Sequence, residues 1–419
     1  MQRLIIKGGK RLGGELTVQG AKNSALPILA ACVLASGEVR LSNIPALSDV
    51  YAAIRIMNSL GVKTKFSNGV VTADASDISQ VSVEEELMRR MRSSIVFLGA
   101  VLARTGECRL SFPGGCELGP RPIDMHLRAL RQMGVVITEK HGELICESPH
   151  GIRGAVINLP FPSVGATENI MLCAALAEGE TVINNAAREP EIDDLGRFLN
   201  KMGARVIGGS SGTVRIKGVK KLHGCEYSVM PDRICAATFM SAAAAAGGEI
   251  VLNGARAADL GAVNEVFRQA GCIVGEARDR IFFSARTPPR AVRNITTLPY
   301  PGFPTDAQAP VMAMLCKAKG TSVVTETIFS SRFRHVDELA RMGADIKTEG
   351  RTAVITGADK LYGASVVAPD LRGGAALVCA ALAADGESCV SNVELIDRGY
   401  ERIEKTFAAL GADIKRENR

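Results

Sequence analysis

Apolar positions along the chain fall into two recurring patterns. Stretches such as Ala25 to Ala35 and Ser241 to Ala246 are small or apolar on most sides, while short runs such as Val39-Arg40-Leu41, Thr181-Val182-Ile183 and Ser322-Val323-Val324 are rich in β-branched residues. The first pattern predicts helices buried on nearly every face, and the second predicts short strands. Glycines keep time between them. One series falls at Gly37, Gly106, Gly179, Gly248, Gly320 and Gly386, and a second at Gly61, Gly134, Gly203, Gly271, Gly343 and Gly411. The period is about 70 residues, longer than the common solenoid repeats. Each glycine is expected just past a helix, where the left-handed conformation costs glycine little, as in Ala340-Arg341-Met342-Gly343-Ala344. The unit is therefore helix, glycine, strand, loop, second helix, glycine, strand, repeated six times.

Six such units exceed one comfortable core, which predicts two α/β domains of three units each. The seam is expected near Tyr227 to Arg233, where Pro231 stands among charged residues. Helices that are apolar all round belong inside, so the expected arrangement has buried helices surrounded by sheets. Ahead of the first unit, residues 7–18 read as two short strands around a turn, able to join either domain.

Composition narrows the function. A net charge of +6 is small for 419 residues, and no basic block carries interleaved aromatics, so no nucleic-acid partner is expected. A modest positive balance suits anionic small molecules. The eleven cysteines include no Cys-x-x-Cys pair, and the five histidines lack ligand spacing, so neither a metal nor another cofactor is expected. No segment approaches the ~18 apolar residues of a membrane span, and a cytoplasmic location is expected. The pattern assigns no oligomeric state.

Candidate chemistry centres on the stretch from Ser111 to Asp124, whose glycines and prolines forbid an uninterrupted helix or central strand. It reads as a loop presenting Cys116, with Arg121 five residues on; a thiol beside a cation has a lowered pKa, although most free cysteines are small hydrophobes. Five of the buried helices begin with polar groups, at Lys22-Asn23, Arg92, Ser163-Val164-Gly165, Asp306 and Asp370-Leu371-Arg372. Helix N-termini attract anions, so a shared phase in the repeat points to a common anion-binding cleft rather than to five unrelated caps. Arg332 and Arg398 stand at strand-to-helix connections, where a guanidinium suits phosphate or carboxylate.

Taken together, Gly20-Ala21-Lys22-Asn23, Pro113-Gly114-Gly115-Cys116, Arg121-Pro122-Ile123-Asp124, Phe303-Pro304-Thr305-Asp306, Asp370-Leu371-Arg372 and Asp397-Arg398-Gly399-Tyr400-Glu401-Arg402 resemble the enolpyruvyl transferase family over its full length, on its UDP-N-acetylglucosamine branch. The resemblance implies two inside-out α/β domains of three repeats, the first over residues 22–229 with the cysteine loop at about 111–124, the second over 1–21 and 230–419. It implies transfer of the enolpyruvyl group of phosphoenolpyruvate to the 3′-hydroxyl of UDP-N-acetylglucosamine with release of phosphate, the committed step of peptidoglycan synthesis. By the same resemblance Cys116 is the acid and the target of fosfomycin, Asp306 the base, and Lys22 and Arg398 complete the catalytic set. Lys22, Asn23, Arg121, Arg372 and Arg398 would hold phosphoenolpyruvate. Asn23, Arg92, Arg121, Pro122, Ile123, Asp124, Met125, Ser163, Val164, Gly165, Asp306 and Ile328 would hold the nucleotide sugar. Phe161 stands where some members carry a lysine, which puts one diphosphate contact in doubt. Two other readings remain open at this point: transfer to another acceptor such as shikimate 3-phosphate, and a non-catalytic UDP-sugar-binding homologue.

Overall fold

The computed structural model describes residues 2–111 and 123–418, with the side chains of Arg90 and Arg92 outside the description. The chain forms two compact units. One holds residues 20–111 and 123–230, the other residues 2–19 and 231–418. Each has its own apolar core.

The sheets of both units share one plan. Among the described residues there are six sheets of four strands. In each, an outer strand runs parallel to its neighbour and two antiparallel pairings follow. One example joins Asn294–Thr296 in parallel to Thr321–Thr325, which pairs antiparallel with Thr352–Thr356, and that in turn with Asp345–Glu349. Alternate residues face inward, as in the buried Ala353 and Ile355 of Thr352–Thr356, so one face of each sheet covers a core.

Helices fill the middle. Arg233–Ala246, Thr305–Leu315 and Leu371–Ala383 pack on one another, and nearly every residue of each is buried. In the other unit Phe97–Thr105 packs on both Lys22–Ala31 and Val164–Ala174. Close approach there depends on Gly99: a Cβ at that position would lie 2.2 Å from the Asn169 carbonyl oxygen. The expected buried-helix architecture of two α/β lobes is the one found.

The two N-terminal strands do not pair with each other. Gln2–Lys7 lies between Glu387–Ser391 and Asp413–Asn418, while Leu12–Thr17 runs parallel to Gly248–Asn253 in a different sheet. In the unit of residues 20–230, Glu226–Ser228 completes the sheet of the first repeat beside Glu38–Ser42. A repeat whose outer strand comes from far along the chain thus closes each set of three.

The second glycine series behaves as expected. All six of its members have positive φ, between +87° and +100°, directly after the helix C-cap. The first series does not: Gly106 caps a helix at φ +80°, but Gly179, Gly320 and Gly386 sit in the turn into the strand. Gly37 and Gly248 have ordinary φ, and Gly247 takes the positive value instead. Before Gly179, Gly320 and Gly386 the buried helix ends on alanine or leucine some residues earlier, so the glycine serves the turn rather than the cap, whereas Gly247 caps Arg233–Ala246 directly and Gly248 opens the strand.

Candidate active site

In the unit of residues 2–19 and 231–418, Asp306 is the second residue of its helix, and both its carboxylate oxygens are held. Oδ1 accepts from Arg332 at 2.9 Å and Oδ2 from Arg372 at 3.2 Å. The two guanidinium side chains are 2% exposed while that of Asp306 is 29% exposed, so the carboxylate is the part of this trio a ligand can reach. Arg332 also donates twice to the Thr305 carbonyl. The one carboxylate is shared by two buried cations and offsets part of the cost of burying them, which leaves the trio with a net positive charge.

Arg372 is fixed from several sides. The Asp370 side chain caps the helix by accepting from the Arg372 and Gly373 amides at 2.9 and 3.0 Å. The Arg372 guanidinium donates to the Tyr400 hydroxyl at 3.1 Å and lies 5.4 Å from the centre of that ring, and the hydroxyl shares a further bond with Thr238 at 2.8 Å. Burial by itself would lower the pKa of Arg372, but Tyr400 and Asp306 outweigh it and raise it. Arg398 is half-buried two residues before Tyr400, and its neighbour Asp397 is spent on a bidentate pair with Arg416 at 2.7 Å. Beside Asp370, the fully buried imidazole of His335 has its pKa pushed down to about 4 by burial, with Asp370 opposing.

The other unit carries the remaining described residues. Lys22 opens its helix almost completely buried and pairs with Asp49 at 2.6 Å; Asn23 beside it is exposed. The Ser24 hydroxyl donates to Asp194, which also accepts from the Tyr227 hydroxyl and the Met230 amide and so ties the start of this helix to residues near the end of the unit. Ser163 caps the next helix by accepting from the Ala166 amide at 3.3 Å, and Val164 and Gly165 follow half-buried.

Ile123, Asp124 and Met125 are brought against this turn through His126. A Cβ on Gly165 would meet the His126 ring at 3.3 Å, which is why glycine suits that position. The Asn169 amide nitrogen donates to the Ile95 carbonyl at 2.9 Å and to His126 Nδ1 at 3.0 Å, and its oxygen accepts from the Gly99 amide at 2.6 Å. Asn169 thus stands in for a helical peptide bond at the start of Phe97–Thr105 and holds the His126 ring through Nδ1. Phe161 is 43% exposed. Cys116, Arg121 and Pro122 lie outside the described residues, as does the side chain of Arg92, whose backbone begins the turn Arg92–Val96.

Several supporting residues were not singled out from the sequence. Asp49, the partner of Lys22, sits in the first turn of Ser48–Ser59, where it reads as an ordinary favourable charge. Asp232 caps Arg233–Ala246, the one buried helix whose start was not singled out, and its first residue Arg233 is buried with its guanidinium 5.6 Å from the Tyr300 ring centre. Its phase in the repeat matches that of Lys22 and could have identified it. Glu326, 1% exposed, follows a strand and gave no signal. Among the described residues no cluster of three metal-ligating side chains occurs.

Comparison with known proteins bears on these residues. The family described as EPSP synthase (3-phosphoshikimate 1-carboxyvinyltransferase) matches residues 6–407. A UDP-N-acetylglucosamine 1-carboxyvinyltransferase 2 from Caldanaerobacter subterraneus subsp. tengcongensis is 51% identical over 99% of this chain and 100% of its own length. A UDP-N-acetylglucosamine 1-carboxyvinyltransferase 1 from Symbiobacterium thermophilum is 49% identical over 99% and 95%. Among solved structures, the enolpyruvyl transferase NikO from Streptomyces tendae superposes with a TM-score of 0.90 at 24% identity, covering 100% of this chain and 99% of that one. EPSP synthase from Acinetobacter baumannii gives 0.79 at 21%, with both chains fully covered. These two structures establish the fold, and the full-length identities narrow the group: the chain belongs to the enolpyruvyl transferase family, among the UDP-N-acetylglucosamine 1-carboxyvinyltransferases.

Proposed function

We propose that the protein transfers the enolpyruvyl group of phosphoenolpyruvate to the 3′-hydroxyl of UDP-N-acetylglucosamine and releases phosphate, the first committed step of peptidoglycan synthesis. The observation that carries this is 51% identity along the whole chain to an enzyme named for that acceptor, against 21% to the EPSP synthase structure. No described helix is long and apolar enough to cross a membrane, and both substrates are soluble phosphorylated metabolites, so a cytoplasmic location belongs to the same reading.

The chemistry assigns roles. As the sugar oxygen bonds to C2 of phosphoenolpyruvate, C3 takes a proton and a tetrahedral adduct forms; loss of phosphate with removal of a C3 proton then restores the double bond. Cys116 supplies the first proton. Asp306 takes the proton of the attacking hydroxyl: its carboxylate is the exposed member of its cluster, with two buried guanidinium groups fixing its orientation. Lys22, Arg121 and Arg398 balance the phosphate and carboxylate charges as they shift, and Arg372 holds Asp306 in place. Asn23, Arg92, Ile123 to Met125, Ser163 to Gly165 and Ile328 contact the nucleotide sugar. The two compact units correspond to the functional domains, with the N-terminal strands in the second.

Phosphate release tests the assignment. With phosphoenolpyruvate present, release is expected with UDP-N-acetylglucosamine and not with shikimate 3-phosphate; the reverse would assign the other acceptor, and nucleotide-sugar binding without release would indicate a non-catalytic homologue. Cys116→Ala is expected to abolish covalent labelling by fosfomycin, read by intact-protein mass. Labelling that survives would remove Cys116 from its role.

A further inference from the structure

Glu326 lies at the end of the strand Thr321–Thr325, and its buried carboxylate serves three donors. Oε1 accepts from the amides of Ile328 at 2.7 Å and Phe329 at 3.0 Å, and Oε2 accepts from the Thr305 hydroxyl at 2.9 Å. Thr305 is the residue before Asp306. Its carbonyl is held from the other side by Arg332, whose guanidinium also binds Asp306 and lies 5.8 Å from the centre of the Phe329 ring. The remaining amide of the turn, that of Thr327, donates to the Thr297 hydroxyl at 2.9 Å, and the Thr327 carbonyl accepts from Arg351 at 2.8 Å.

We infer that Glu326 is a positioning residue for the acceptor sugar: it locks the turn of Thr327, Ile328 and Phe329 to the helix start that carries Asp306. The inference rests on the reading above, in which Ile328 meets the nucleotide sugar and Asp306 deprotonates its hydroxyl. With the amides of residues 327–329 all spent inside the protein, Ile328 offers the sugar its carbonyl and side chain but no N–H donor. Glu326 thus helps to set the distance between that contact and the Asp306 carboxylate, and is the group that hydrogen-bonds both the turn and the helix start. Only an acceptor-only group can satisfy three donors at once; glutamine comes near it, since its oxygen can serve the two amides while its nitrogen donates to the Thr305 hydroxyl oxygen.

The test is steady-state phosphate release with each substrate varied in turn. Glu326→Ala leaves three donors without their acceptor and is expected to raise KM for UDP-N-acetylglucosamine by about tenfold or more, with KM for phosphoenolpyruvate changing less than about twofold. Glu326→Gln is expected to recover part of that loss. A purely structural role would lower the active fraction, and hence kcat, without this split between the two KM values. Should Glu326→Ala fail to fold, Thr305→Val severs only the link to the helix, and a raised KM for the nucleotide sugar is again the expected result. An unchanged KM for UDP-N-acetylglucosamine in the variants that fold, beside an active wild type, overturns the inference alone. A wild type that releases no phosphate with this acceptor overturns the functional reading, and the inference with it.

Discussion

At the scale of single residues, the balance of charge around Asp306 decides both chemistry and stability. Removing this carboxylate takes away the proposed base and leaves Arg332 and Arg372 buried without their shared counter-charge. Asp306→Ala is therefore expected to lower kcat by about 10²-fold or more, the scale of general-base catalysis. It should also destabilise by about 3 kcal/mol, as losing one partner of a buried pair does. Denaturant titration measures the second effect; an unaltered midpoint would mean that the arginines find other partners. Arg372→Lys separates geometry from charge. A lysine keeps the cation but cannot reach Asp306 and the Tyr400 hydroxyl together while packing on the ring, so kcat is expected to fall about tenfold or more with the charge intact. Wild-type turnover in this variant would show that Asp306 needs no orienting fork.

At the scale of elements, the sequence was most legible where one backbone conformation has one cheap residue. The six glycines past the second helices were readable because a left-handed C′ position excludes most side chains, and each has positive φ. Gly411→Ala isolates that strain, since φ is +89° and a Cβ would meet nothing within 4 Å; about 1 kcal/mol of lost stability is expected. Gly203→Ala, at φ +100°, adds a 3.2 Å approach to the His223 ring and should cost more. A Gly411→Ala variant that melts with the wild type would argue against backbone strain as the reason for these glycines, and equal melting temperatures for the two variants would mean that the His223 ring gives way at no cost. Legibility failed where partners are distant in sequence. Nothing local to Gln2–Lys7 and Leu12–Thr17 says that they belong to different sheets, because their partners begin more than 200 residues later. Within the candidate site, Asp306 and Arg372 were visible as polar residues at a shared phase of the repeat, and the structure brings them into contact. Glu326 was not visible, because a glutamate after a strand looks solvated until the chain folds two amides and a hydroxyl around it. Arg332 was read as a ligand for a substrate anion, yet its guanidinium binds Asp306 and the Thr305 carbonyl within the protein.

At the scale of the whole molecule, the two units carry buried titratable groups that weaken them in opposite directions of pH. In the unit of residues 2–19 and 231–418, His335 has a pKa of about 4 when folded and an ordinary value of 6.5 when exposed. As pH falls through 6.5 the unfolded state takes up a proton the folded state refuses. Stability is therefore complete above 6.5 and lost progressively towards 4, by about 2 kcal/mol at pH 5. In the unit of residues 20–230, burial, with Glu191 and Glu189 adding to it, raises the pKa of Glu168 well above its ordinary 4.5. Here the folded state keeps a proton that the unfolded state gives up, so stability falls as pH rises from 4.5 towards the raised value and levels off beyond it. Each slope is assigned by comparing a variant with the wild type, since the background of other carboxylates then cancels. Glu168→Gln is expected to gain stability over the wild type at pH 7.5 and to lose most of that advantage near pH 4.5. His335→Asn is expected to compare best with the wild type near pH 4.5 and to fall behind it by pH 7.5. Calorimetry at the two pH values reads both. If either variant differs from the wild type by the same amount at both, the group it replaces does not titrate with folding, and the opposed slopes of the two units have some other source.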